Sequence, residues 1–269
     1  MLECLARAKV NLALHVTGKA GNGYHILDSL VVFADIGDVL NFEWATRFEL
    51  SVNGPFSKGL DAGRGNLISR AAALMGEPPV HITLEKNLPI SSGIGGGSSD
   101  AAQTLLGLSK LCGLELPETN RVLTLGADVP VCMIAQSCRM QGIGEAVTPL
   151  TEIGPFHGVL VNPGLPVSTA EVFDGLTCAE NIAIDCKRGF DVAALSAMRN
   201  DLQASALSAC PEIASVLLIL KEVNANLARM SGSGATCFGL FDSQIAAADA
   251  AEKITAAYPG WWVRDCVLG

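Results

Sequence analysis

Residues 88–113 read LPISSGIGGGSSDAAQTLLGLSKLCG, a glycine-rich loop that runs into an alanine- and leucine-rich helix, with Ser98 or Ser99 placed to cap it. A junction of this kind leaves backbone N–H groups open at the positive end of a helix dipole. It therefore favours an anion, and its shape suggests phosphate. No Gly-Lys-Ser/Thr follows, so it is not a Walker A loop, and Gly93-x-Gly95-x-x-Ser98 lacks the third glycine of the dinucleotide fingerprint. On spacing alone, a flexible turn ahead of an ordinary capped helix fits the same residues.

Upstream, Val10, Leu12, Leu14 and Val16 alternate with Lys9, Asn11, Ala13 and His15. This is the period of a half-buried strand, with Lys9 and Asn11 sharing its polar face. Strands are also predicted at SLVVFADIGDVLNFEW (29–44) and VHITLEK (80–86), with a helix at NLISRAAALMG (66–76) between them. Downstream, ARMSGSGATCFGLF (228–241) sets a glycine turn between two strands, which by itself is a plain hairpin. Ser243 caps a helix that runs to the neighbourhood of Tyr258, and WWVRDCVLG (261–269) closes the chain as a strand. The fold class is α+β, with domains predicted at 1–152 and 153–269.

At 269 residues, 49% hydrophobic and 17% charged, the chain is too apolar to be disordered. The uncharged stretch 153–170 is broken by Gly154, Pro155, Gly158, Pro163, Gly164 and Pro166, so no membrane span or membrane partner is predicted. Glu3, Arg7 and Lys9 interrupt the N-terminal apolar run, unlike a signal peptide, and the expected location is cytoplasmic. A net charge of −9 argues against a nucleic-acid surface. The nine cysteines form no C-x-x-C pair and read as small buried hydrophobes in a reducing compartment.

Four segments together, in order and spacing, resemble the signature regions of the GHMP small-molecule kinases: AKVNLALHVTGKAGNGYHILDSLVVFADIGD (8–38), LPISSGIGGGSSDAA (88–102), LGADVPVCMIAQSCRMQGIGE (125–145) and MSGSGATCFGLF (230–241). The likeness narrows to the branch acting on a cytidylyl sugar alcohol through GYHIL after A-K-x-N-L, GADVP before GxGE, and VNPGLPVSTAEVF (161–173). Arg7 departs from the pattern, standing where the family has proline before Ala-Lys.

The resemblance implies a ribosomal-S5-like N-terminal domain, a ferredoxin-like C-terminal domain and an active site between them. It implies an ATP-dependent kinase with an alcohol acceptor. Asp128 matches the carboxylate that takes the hydroxyl proton, although ahead of Pro130 it reads equally well as a helix N-cap. Lys9 matches the ammonium that orients the carboxylate and stabilises developing charge. Asn11, Tyr24, His25, Ser168, Thr169 and Phe173 match substrate-binding positions; Tyr24 and His25 face the cytidine, and Phe173 the opposite side of its ring. The ATP-binding positions are Asn66, Lys86, Pro89, Gly93, Ile94, Gly95, Gly96, Gly97, Ser98, Ser99, Gly232, Ser233 and Gly234. Mg²⁺ is implied beside ATP, with Ser99 the one ligand suggested. The resemblance leaves monomer or homodimer open. The competing readings are a GHMP kinase for a sugar, homoserine or mevalonate, and a catalytically silent ligand-binding module on the same fold.

Overall fold

The alternation at residues 9–16 does form a strand, β1 (Leu2–Lys19), but not a half-buried one: Lys9, Asn11 and His15 are 3%, 0% and 4% exposed. The polar face is covered because its side chains find partners. Asn11 Nδ2 donates to Ser29 Oγ, and His15 Nδ1 pairs with the Ile182 carbonyl. The computed structural model describes residues 1–21 and 23–269, so Asn22 of the predicted Gly-Asn-Gly turn lies outside the described residues.

The strand predicted at 29–44 is the greater part of β2 (His25–Trp44). There follow β3 (Glu49–Asn53), α1 (Leu67–Leu74), β4 (Val80–Glu85), α2 (Gly96–Cys112), α3 (Thr119–Leu123), α4 (Val129–Ile134), β5 (Cys138–Gly142) and β6 (Ala146–Pro149). The remainder is β7 (Phe156–Asn162), α5 (Thr169–Asp174), α6 (Val192–Ser196), α7 (Gln203–Ala209), α8 (Glu212–Glu222), β8 (Leu227–Met230), β9 (Cys237–Phe241), α9 (Gln244–Ala257) and β10 (Trp262–Leu268). Ser243 caps α9 as predicted, accepting from the Ala246 amide.

Two compact units divide the chain. The first takes Met1–Lys9, Ile36–Ile90 and Gly95–Ala135; the second takes Val10–Asp35, Ser91–Ile94 and Gln136–Gly269. In the first, β4 runs parallel to β3 and antiparallel to Val39–Trp44 of β2. Helix α2 lies on this sheet, where Gly107 admits the Phe42 ring: a Cβ there would come 2.5 Å from it. Phe42, Ile68, Ile82, Leu84 and Leu105 are fully or almost fully buried.

In the second unit β7 pairs antiparallel with both β10 and β9, β9 with β8, and β5 with β6 and the first part of β2. Its core gathers Val159, Val161, Ile213, Val216, Ala250 and Ile254, from the sheet and from α8 and α9. All nine cysteines are free; five are buried as expected, but Cys4, Cys112 and Cys186 are only half-buried and Cys178 is exposed. Among the described residues no single helix is long and apolar enough to cross a membrane.

Candidate active site

Helix α2 begins earlier than its serines suggest. Its N-cap is Gly95, in the left-handed conformation at φ 63°, and no side chain caps it. Ser98 and Ser99 therefore lie inside the helix. Serine is the stronger N-cap signal in a sequence, but here a glycine takes the cap and leaves the first-turn amides open to a ligand. Gly97 is exposed and Ser98 half-buried, whereas Ser99 is 2% exposed and its hydroxyl donates to the Arg7 carbonyl at 2.7 Å.

Lys9 Nζ lies 2.9 Å from Asp128 Oδ2, and the lysine stem runs under the helix mouth, where a Cβ on Gly95 would stand 3.1 Å from Lys9 Cβ. The lysine side chain is 4% exposed and that of Asp128 34%, so a buried ammonium holds a carboxylate that faces outward. Asp128 occupies the N-cap position of α4, yet its side chain makes no cap hydrogen bond. The side chain therefore does not cap the helix, and its carboxylate stays partly exposed beside Lys9.

Lys86 is placed differently from expectation. It is 3% exposed, and its Nζ bonds Asp38 Oδ2 at 2.5 Å and Asp100 Oδ2 at 2.7 Å. Burial pulls the ammonium down, but the two carboxylates outweigh it and hold Lys86 above the ordinary lysine range. Burial pushes the Asp100 carboxyl up to about 7, Lys86 pulling down and Asp38 pushing further up. A carboxyl raised from 3.8 to about 7 favours the folded state at low pH, and that advantage is lost as pH rises from about 4 to about 7. The wild-type midpoint of thermal unfolding therefore falls more across this range than that of Asp100→Asn; parallel pH profiles in scanning calorimetry would contradict the assignment.

Other expected ATP positions are engaged locally. Asn66 caps α1 through the Ile68 amide and donates to Asp61 O, Pro89 is buried, and Ile94 is fully buried.

The second unit carries the remaining positions. The Ser231 hydroxyl accepts from the Asn11 amide at 3.1 Å and donates to the Gly93 carbonyl at 2.9 Å, tying β1, the glycine-rich loop and the Gly232–Gly234 turn together. Asn200, which nothing in the sequence singles out, donates to the Met230 and Gly232 carbonyls, both at 2.8 Å. Thr169 Oγ1 and Ser233 Oγ are 2.9 Å apart, and Ser168 caps α5. His25 and Phe173 stack with centroids 5.0 Å apart and planes at 22°. A base inserted between two rings needs roughly 7 Å, so these two form one wall and do not face each other across a ligand. Tyr24 is 62% exposed.

Comparison with known proteins places this chain in a family. The family "GHMP kinases N terminal domain" matches residues 66–141 and "GHMP kinases C terminal" matches 184–260. The 4-diphosphocytidyl-2-C-methyl-D-erythritol kinase of Cereibacter sphaeroides (strain ATCC 17025 / ATH 2.4.3) is 49% identical, covering 98% of each chain. Its namesake from Ruegeria pomeroyi is 47% identical over 97% of each. A crystal structure of 4-(cytidine 5'-diphospho)-2C-methyl-D-erythritol kinase superposes with TM-score 0.85 at 34% identity, covering 100% of this chain and 99% of that one. A homoserine kinase from Cytophaga hutchinsonii, at 17% identity and TM-score 0.72 over 99% of this chain and 95% of its own, shares the fold.

Proposed function

The chain belongs to the GHMP kinase family, and from that premise we propose that it transfers the γ-phosphoryl group of ATP to the 2-hydroxyl of 4-diphosphocytidyl-2-C-methyl-D-erythritol, a step toward isoprenoid precursors by the non-mevalonate route. The choice of acceptor rests on relatives at 47–49% identity over nearly the whole chain. The observation that carries the chemistry is the Lys9–Asp128 pair against Gly95.

The triphosphate lies on the open amides at the start of α2, where the helix dipole favours its charge. The acceptor oxygen forms its bond to γ-phosphorus as the bond to the ADP oxygen breaks. Asp128 takes the hydroxyl proton, while Lys9 fixes the carboxylate and offsets charge on the reacting oxygens. Mg²⁺ would neutralise charge on the β- and γ-phosphates. Among the described residues no three His, Cys, Asp or Glu side chains come together as a metal site. Ser98 is half-buried whereas Ser99 is 2% exposed, so Ser98 is the more accessible first-turn hydroxyl for that ion.

On the acceptor side, the stacked Phe173 and His25 rings offer one flat wall to the cytosine. Phe173→Ala raises KM for the cytidylyl substrate by about tenfold, the scale of one stacked base, and leaves KM for ATP unchanged. Initial rates with each substrate varied in turn measure both; an equal rise in the two constants would remove Phe173 from acceptor recognition. The function is tested by turnover against the cytidylyl alcohol, galactose, homoserine and mevalonate, with phosphorylation of the first alone expected. Activity confined to one of the other three defeats the assignment, and ATP binding without turnover on any supports a silent module.

A further inference from the structure

Shut away from solvent, Asp38, Lys86 and Asp100 form a cluster that the phosphoryl-transfer chemistry does not use. Asp38 is fully buried, and Lys86 and Asp100 are 3% and 4% exposed. The two Asp38 oxygens are divided between different partners. Oδ2 accepts from Lys86 Nζ, while Oδ1 accepts from the backbone amides of Asn87 and Leu88 at 2.6 and 2.8 Å. Those amides are the last before Pro89, which has no N–H, and the glycine-rich loop begins there. Lys86 then reaches across to Asp100 on α2, the helix into which the loop runs. Its ammonium would stand 3.1 Å from a Cβ on Gly96, the first residue of that helix.

The three side chains thus join the entry of the loop to its exit. A buried ion cluster is a poor means of gaining stability, because desolvation offsets most of the attraction; fixing a register is its best-attested use. Lys86 also lies against the positive end of the α2 dipole, which is unfavourable without carboxylates beside it. The arrangement makes sense where the spacing of the loop ends matters.

We propose that Asp38, Lys86 and Asp100 are positioning residues that set the separation of the two ends of the phosphate-binding loop, and so act on ATP through the backbone without touching it. This rests on the assignment of ATP to that loop. Asp38 contributes most, since it alone holds both Lys86 and the amides of the loop entry.

The test is steady-state kinetics and ATP titration calorimetry on full-length wild type, Asp38→Asn and Asp100→Asn, with folded fraction followed by circular dichroism. Asp38→Asn keeps the size and the acceptor oxygen but removes the charge. It should raise KM and Kd for ATP by about tenfold or more, because small displacements of a binding backbone are amplified in this way, with KM for the cytidylyl acceptor within about twofold. Asp100→Asn should shift the same constants in the same direction by less. A role confined to stability would lower the folded fraction and leave the constants of the remaining enzyme at wild-type values; that result, in whichever variant folds, overturns the proposal. A wild-type enzyme that neither binds nor consumes ATP would overturn the underlying assignment of the loop instead.

Discussion

Asp128→Asn lowers kcat by about a thousandfold and leaves the Kd for ATP within about twofold of wild type, within the usual range for removing a positioned general base. The substitution preserves size, and the Asp128 side chain makes no cap hydrogen bond whose loss would unsettle α4, so the effect reports chemistry rather than folding. Lys9→Ala gives a fall of similar size, since an ammonium 2.9 Å from the carboxylate both aims it and balances the charge that forms on the acceptor oxygen. Residues that act as one unit are not additive, so the double variant is scarcely slower than the worse single one. Rapid-quench measurement of the phosphoryl-transfer step on folded protein checks all three. Should Asp128→Asn retain more than a tenth of the wild-type rate, another group takes the proton, and if the two single effects multiply, the pair does not work as a unit.

Gly93→Ala has the largest effect on the loop itself. Gly93 sits at φ 74°, and a Cβ there would come 2.4 Å from the Ser231 carbonyl oxygen and 2.7 Å from the Gly234 amide nitrogen, backbone atoms with no side-chain freedom to yield. The positive φ alone costs about 1 kcal/mol or more, and the collision adds to it. The variant melts roughly 6 °C or more below wild type and loses most of its affinity for ATP. Gly113→Ala is the control: φ is 69° at the end of α2, yet nothing stands within 4 Å of the added carbon. The difference between the two melting temperatures in scanning calorimetry isolates the collision; equal shifts would mean that the loop moves away from Ser231 freely.

The strand of Lys9 and Asn11 is legible from its alternation, and the loop from its glycines. The burial of both strand faces is not, because alternation shows which residues share a side and not what covers that side. The start of α2 is obscured for a related reason. Serine at the head of a helix is the usual cap, and only the backbone dihedral of Gly95 shows that the helix begins without one. The Asp38–Lys86–Asp100 cluster leaves no trace in the sequence, its members being 48 and 14 residues apart with no period to join them. Resemblance selects Lys86, but as a group facing the nucleotide, whereas its side chain is held inside. The strands β3, β5 and β6 give little signal because they are short, and only half-buried or exposed along much of their length.

The segments of the two units interleave along the chain, with changes of unit at 9/10, 35/36, 90/91, 94/95 and 135/136. Two of these fall inside the continuous strands β1 and β2. No single cut can release either unit intact: a fragment starting at residue 136 would leave Val10–Asp35 behind. Melting one half must fray strands that belong to the other, so heat should dismantle the whole polypeptide in a single calorimetric peak, and protease nicks in either half should be equally damaging to both.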